Sequence, residues 1–263
     1  MKLSLSSIAW ETRRNEEMMK FMSSLGFYGY EVAPTMFYGK DPYDKQKIAD
    51  VLQDHIYEEY DLSLVSLQSI WYGVNDNIFD SEKSRDKLLK LTTKIIDFSS
   101  YLCNHVVVFG SPKNRIMNNV DSDIDIAFKF FDEIGKYAEE QGVVFCIEAN
   151  PTIYGTNFLN TTREALDFVD KLDNPGLGVN LDFGTIIANE ETLDFSYEDL
   201  YWVEHVHISE PMLTPIKRRD EHKVLREILE DYEYDGCISV EMKLTDRDDD
   251  IKDAALYLKE VFG

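Results

Sequence analysis

The chain has 263 residues, 44% of them hydrophobic, with 50 acidic against 27 basic side chains and a formal charge of −23. The length suits one α/β barrel and the hydrophobic content suits a large core. The charge argues against nucleic acid and anionic membrane surfaces as partners, since both need clustered Lys and Arg. Cys103, Cys146 and Cys237 are far apart and form no CxxC pair. Cys146 and Cys237 are therefore expected as reduced core residues of a cytoplasmic protein. The N-terminal segment lacks the apolar stretch of a signal peptide, and no run approaches the ~20 apolar residues of a membrane span.

In chain order, short apolar runs near 2–9, 28–33, 62–69, 105–110, 143–148, 177–182, 204–209 and 237–241 read as strands. They are rich in Val, Ile, Leu and Phe, as strands buried on both faces are. Helical patterns fall between them at 15–25, 43–58, 82–102, 123–141, 161–171, 197–202, 218–232 and 247–262. Ser81 is expected to start the third. Ser122 is expected to cap the fourth, whose stripe runs Ile124, Ala127, Phe128, Phe131, Ile134 and Tyr137 before Gly142 stops it. In the sixth crossover, residues 186–199 read mostly as loop. Eight such cycles without linker or composition break predict an α/β fold, a single-domain (β/α)8 TIM barrel over 1–263. An open doubly wound sheet would carry a Gly-rich first turn, and here that turn is AWETRRNEE. No GxGxxG or GxxxxGK[ST] supports a nicotinamide or ATP function.

Glu148, Asp182, His207 and Glu241 end the last four strands, separated by 34, 25 and 34 residues. At the C-terminal mouth of a barrel they would converge, and the carboxylates would repel one another without a cation. Three oxygen donors and one nitrogen favour one divalent ion, Mn²⁺, Mg²⁺ or Co²⁺, with Zn²⁺ a less favoured alternative. Other polar residues at strand ends are Glu31, Gln68, Ser111 to Arg115, Asn150, Glu210 and Lys243. His205 shares a strand face with His207 and is expected behind it or in the core. His55 and His222, in predicted helices, are expected in solvent, and His105 at the opposite end of the barrel is expected to be structural.

The segments CIEANP, VNLDFGT, VHISEP and SVEMK resemble the xylose-isomerase-like barrel superfamily of sugar isomerases and epimerases, and the resemblance covers essentially the whole chain. It implies Glu148, Asp182, His207 and Glu241 as metal ligands. Glu148 and Glu241 would also be the catalytic pair that moves a proton through a metal-stabilised enediolate. Three positions depart from the ketose 3-epimerase pattern: Thr185 stands where those enzymes have His, Tyr154 where they have Glu, and Leu213 where they have Arg. The DNA-repair endonucleases on this barrel use several zinc ions and many His ligands, whereas this chain has five His in all.

The expected partner is a small-molecule carbohydrate, contacted by Gln68, Asn150, Tyr154, Glu210, Lys243 and Arg115. Trp71, Tyr72 and Tyr154 could stack on a sugar face. GSPKNR (110–115), KRR (217–219) and Lys243 near the mouth suggest an anionic group on the substrate, with surface pairing to acids as the alternative. The expected activity is that of a metal-dependent sugar, sugar-phosphate or sugar-acid isomerase or epimerase. Alternatives are a keto-polyol (inosose-type) dehydratase and a non-catalytic sugar-binding descendant. A homo-oligomer is compatible with the sequence.

Overall fold

The computed structural model describes residues 1–39, 42–43, 59–247 and 249–263. Eight parallel strands close on themselves in sequence order. They are β1 (Lys2–Ser6), β2 (Gly29–Val32), β3 (Ser63–Leu67), β4 (Val106–Phe109), β5 (Val144–Glu148), β6 (Leu177–Asp182), β7 (Val203–Ile208) and β8 (Cys237–Val240). Closure is made by β1 beside β8, with Ser4 level with Ser239 and Leu5 with Val240.

The described helices are α1 (Asn15–Leu25), α2 (Pro34–Phe37), α3 (Glu82–Tyr101), α4 (Val120–Glu140), α5 (Thr162–Leu172), α6 (Phe183–Asn189), α7 (Tyr197–Tyr201), α8 (Glu221–Asp231) and α9 (Asp250–Phe262). The helix expected at 43–58, with His55 on it, lies almost wholly outside the described residues. Elsewhere three local expectations are corrected. The first strand stops at Ser6, because residues 7–9 turn into a 3₁₀ segment whose Ile8 N–H reaches Ser6 Oγ. The fourth helix begins at Val120, so Ser122 lies within its first turn. There Asp123 Oδ2 accepts from the N–H groups of Asn118 and Asn119 at 2.7 and 2.9 Å. The sixth crossover is more helical than its sequence suggested. Asp182, the last residue of β6, is itself the N-cap of α6 and accepts from Thr185 N–H at 2.7 Å.

Alternation along the strands divides the molecule into a polar lumen and an apolar shell. Leu3, Leu5, Val107, Phe109, Phe145, Ile147, Val179, Leu181, Val206, Ile208, Ile238 and Val240 are buried in the hydrophobic core between sheet and helices. Alternate residues Ser6, Glu31, Ser66, Gln68, Asn180, His205 and His207 are buried and bond to one another or to Glu148 across the barrel. Phe131 on α4 lies 5.7 Å from Phe109, 6.2 Å from Phe158 and 5.6 Å from Phe168. These rings pack behind β4 and β5, the strands that lead to Gly110 and Glu148. Cys146 and Cys237 are buried free thiols, as expected. Among the described residues, no helix is long and apolar enough to cross a membrane.

A candidate metal centre at the barrel mouth

Strand register sets the site. Glu148 on β5 lies level with Asn180 on β6, Asp182 with His207 on β7, and His207 with Ser239 on β8. Glu241 follows β8 directly, and its N–H bonds Ile208 O at 3.0 Å. His207 Nδ1 consequently stands 3.4 Å from both Glu148 Oε2 and Glu241 Oε2. The ligand atoms of Glu148, His207 and Glu241 lie within 4.8 Å of one another, and all three residues are buried.

Asp182 faces the same cavity but stands outside that triad. Thr185 N–H and Oγ1 donate to its Oδ2 at 2.7 and 2.8 Å, and Ser209 Oγ donates to Oδ1. Both oxygens are thus held in place, and Thr185 makes two of the three hydrogen bonds that hold them.

Glu148 is fixed from several sides. Asn150 Nδ2 donates to Oε1 at 2.8 Å and Asn180 Nδ2 to Oε2 at 2.7 Å. On β2, across the lumen, Glu31 Oε2 lies 2.9 Å from His207 Nε2 and 3.1 Å from His205 Nε2, and it accepts from Ser66 Oγ at 2.5 Å. His205 therefore does occupy the lumen behind His207.

Burial and mutual charge dominate the protonation equilibria. Burial pushes Asp182 up, reinforced by the charge of Glu148, to about 6. Burial likewise raises Glu241 to about 7 despite the nearby His207. At Glu148, burial is outweighed by His207, Asn150 and the charge of Arg115, and its carboxyl lies below the ordinary value. Glu31 is also buried, yet the His207 charge and hydrogen bonds from both histidines hold it well below the usual range. Burial disfavours charge on His207, but Glu31 and Glu241 reverse that and raise it well above its ordinary value. Carboxylates crowded around one imidazole call for positive charge, and the oxygen-rich donor set with one ring nitrogen fits a divalent ion.

Above the triad is a cavity of about 370 Å³, lined among others by Gln68, Tyr72, Lys113, Asn150, Tyr154 and Leu213. Tyr154 Oη accepts from Met212 N–H at 2.8 Å, joining the loops after β5 and β7 across the mouth. Gln68, Asn150 and Tyr154, which the sequence put forward as substrate contacts, line this cavity, as does Tyr72.

The other three residues put forward do not line it. Arg115 is wholly buried over the Phe109 ring at 5.2 Å. Glu210 is buried in a two-point pair with Arg219, at 2.7 and 2.6 Å. Lys243 is exposed and outside the lining. Arg218 pairs with Glu260, so of the basic residues expected at the mouth only Lys113 lines the cavity. Trp71 is also withdrawn: it is buried, with Nε1 donating to Thr92 Oγ1 at 3.1 Å. His222 is buried rather than solvated, against Phe183 and with Nδ1 2.9 Å from Tyr257 Oη. His105 is exposed at the far end of the barrel, its Nδ1 2.8 Å from Gly142 O.

Asn180 and Ser209 are site residues that the sequence reading overlooked. The signal was the two-residue strand period, which puts Asn180 on the face of Asp182 and Ser209 on that of His207.

The sequence matches the family described as "Xylose isomerase-like TIM barrel" over residues 19–261. No curated protein matches it. Among solved structures it is similar to 3-keto-D-glucoside 4-epimerase, YcjR, from E. coli, at 18% identity and a TM-score of 0.76, covering 99% of this chain and 98% of that one. D-psicose 3-epimerase from Clostridium cellulolyticum H10, solved with D-tagatose, is similar at 18% identity and 0.79, covering 100% and 99%. A D-tagatose 3-epimerase-like protein is similar at 22% and 0.77, covering 99% and 98%. With its closed eight-stranded barrel and the family match over most of its length, the chain belongs to the xylose isomerase-like TIM barrel family.

Proposed function

We propose that the protein is a divalent-metal-dependent isomerase or epimerase of a sugar or sugar derivative, acting by proton transfer at a carbon beside a carbonyl. The observation that carries this reading is the convergence of buried Glu148, His207 and Glu241 at the floor of the cavity. These three residues would hold the ion with Asp182 as the fourth ligand, and hard oxygen donors favour Mn²⁺, Mg²⁺ or Co²⁺ over Zn²⁺. A divalent ion there would supply positive charge to stabilise the oxygen anion that develops as a C–H bond beside a carbonyl ionises.

Glu148 and Glu241 are assigned the proton transfer, one carboxylate taking the proton and the other returning one. Asn150 and Asn180 keep Glu148 in a single orientation, which proton transfer over a short distance needs. Gln68 and Asn150 offer amides to sugar hydroxyls, and Tyr72 and Tyr154 offer ring faces. The similarity to epimerases, one of them solved with D-tagatose, supports the same substrate class.

A panel of sugars, sugar acids and sugar phosphates incubated with Mn²⁺ in D₂O and followed by NMR tests this reading. Deuterium entering one carbon of one substrate without mass loss as water is the expected result. Loss of water would make the enzyme a dehydratase, and binding without exchange would make it a non-catalytic sugar binder. If Glu148→Gln and Asp182→Asn take up metal as the unaltered protein does, the metal assignment is wrong.

A further inference from the structure

Glu31 lies on β2, far along the chain from the four strands that end in the proposed ligands, and it is completely buried. One of its oxygens, Oε2, faces three donors: Ser66 Oγ at 2.5 Å, His207 Nε2 at 2.9 Å and His205 Nε2 at 3.1 Å. An ionised carboxylate only accepts hydrogen bonds, so His207 must carry a proton on Nε2.

An independent contact fixes the other ring nitrogen. Asn180 Nδ2 donates to Glu148 Oε2 at 2.7 Å, which orients its amino group, and the same nitrogen lies 3.0 Å from His207 Nδ1. An amino group facing a ring nitrogen needs a lone pair there, so in the neutral ring, the form that binds a metal, Nδ1 is the bare nitrogen. Nδ1 is also the atom that faces Glu148 and Glu241.

Resting on the metal reading above, we infer that Glu31 is a positioning residue for the metal centre. It holds the His207 ring with Nε2 protonated and Nδ1 presented to the Glu148–Glu241 pair. Carboxylate support behind a ligating imidazole fixes ring orientation and raises its basicity, and losing such support typically weakens metal binding by about 10- to 100-fold. Ser66 and His205 keep the carboxylate itself in place, which accounts for a histidine in the lumen that does not reach the cavity. Glu31 touches neither the cavity nor the proposed reacting atoms.

The test reads the ring directly. In ¹⁵N-histidine spectra of the metal-free protein, recorded at a pH above the titration of His207, the neutral ring is expected to carry its proton on Nε2, hydrogen-bonded and slow to exchange. That signal should shift or vanish in Glu31→Gln. A proton on Nδ1 alone, or a His207 signal unchanged in Glu31→Gln, overturns the inference whether or not metal binds. Calorimetric Mn²⁺ titration, run below the unfolding transition of both metal-free proteins, is expected to show about 10- to 100-fold weaker binding for Glu31→Gln. Equal affinities overturn the inference while leaving the metal reading intact. If the unaltered protein binds no Mn²⁺, the metal reading fails and with it the role given to Glu31 there, whereas the spectra still decide the His207–Glu31 contact.

Discussion

Gly110 and Glu148 are matched across adjacent strand ends: a Cβ on Gly110 would lie 2.3 Å from Glu148 Oε1 and 2.9 Å from its Cδ. The close approach leaves room for the glutamate to lie against β4, where Asn150 and Asn180 hold it.

Gly110→Ala is therefore expected to displace the Glu148 carboxylate rather than the backbone, since the group in the way is the end of a flexible side chain. The stability cost should be about 1–3 kcal/mol, while Mn²⁺ affinity falls by at least about tenfold. Thermal unfolding and calorimetric titration of the same variant separate the two effects. Retained affinity would show that the approach of Gly110 does not position Glu148.

Metal binding should release protons. Glu241, raised to about 7, and Asp182, raised to about 6, hold protons near neutral pH that a cation must displace. Affinity is expected to rise with pH across this range and to fall as pH drops below about 6. Titrations in two buffers of different ionisation enthalpy give the proton count. A count of zero at pH near 6.5 contradicts the placement of these carboxyls in the metal centre.

His222 makes acid stability a local question. Burial lowers it from 6.5 to about 4, so between these values the unfolded chain binds a proton that the folded one does not. Its contribution is complete above about 6.5 and is lost as pH falls towards about 4, with a full size of roughly 3 kcal/mol. His222→Gln should flatten the decline of melting temperature over that interval, and an unchanged slope would place the acid sensitivity elsewhere.

Lys113 lines the cavity, and no ion pair holds its Nζ among the described residues. If the substrate is anionic, Lys113→Ala should raise KM for it by about two- to fivefold, the scale of an exposed ion pair, and leave neutral sugars unaffected. Equal KM values for both classes would remove Lys113 from substrate recognition.

The barrel was legible because short apolar runs alternate with helical patterns along the chain, and the clustering of Glu148, His207 and Glu241 because each stands at the end of such a run. What the sequence hid was the direction of side chains in loops and across the lumen. Arg115 and Lys113 are two residues apart in one loop, yet one packs over Phe109 and the other lines the cavity. Glu210 carries the right charge at the right height, but Arg219 captures it. Helix periodicity alone did not show that His222 turns inward onto Phe183. Glu31 stood out as a strand-end carboxylate, but its partner His207 is 176 positions further along the chain.

The polar lumen also bears on how this protein reaches its native state. Contacts between Glu31 and His207 join the second strand to the seventh, and β1 must zip to β8 before the ring is complete. Contacts so distant along the chain form late, because loop closure must come first. A fragment spanning only β5 to β8 would contain every proposed ligand and still lack the Glu31 support behind His207. Completion of the proposed centre thus requires the closed barrel, which alone brings β2 near enough to β7 for Glu31 to reach His207.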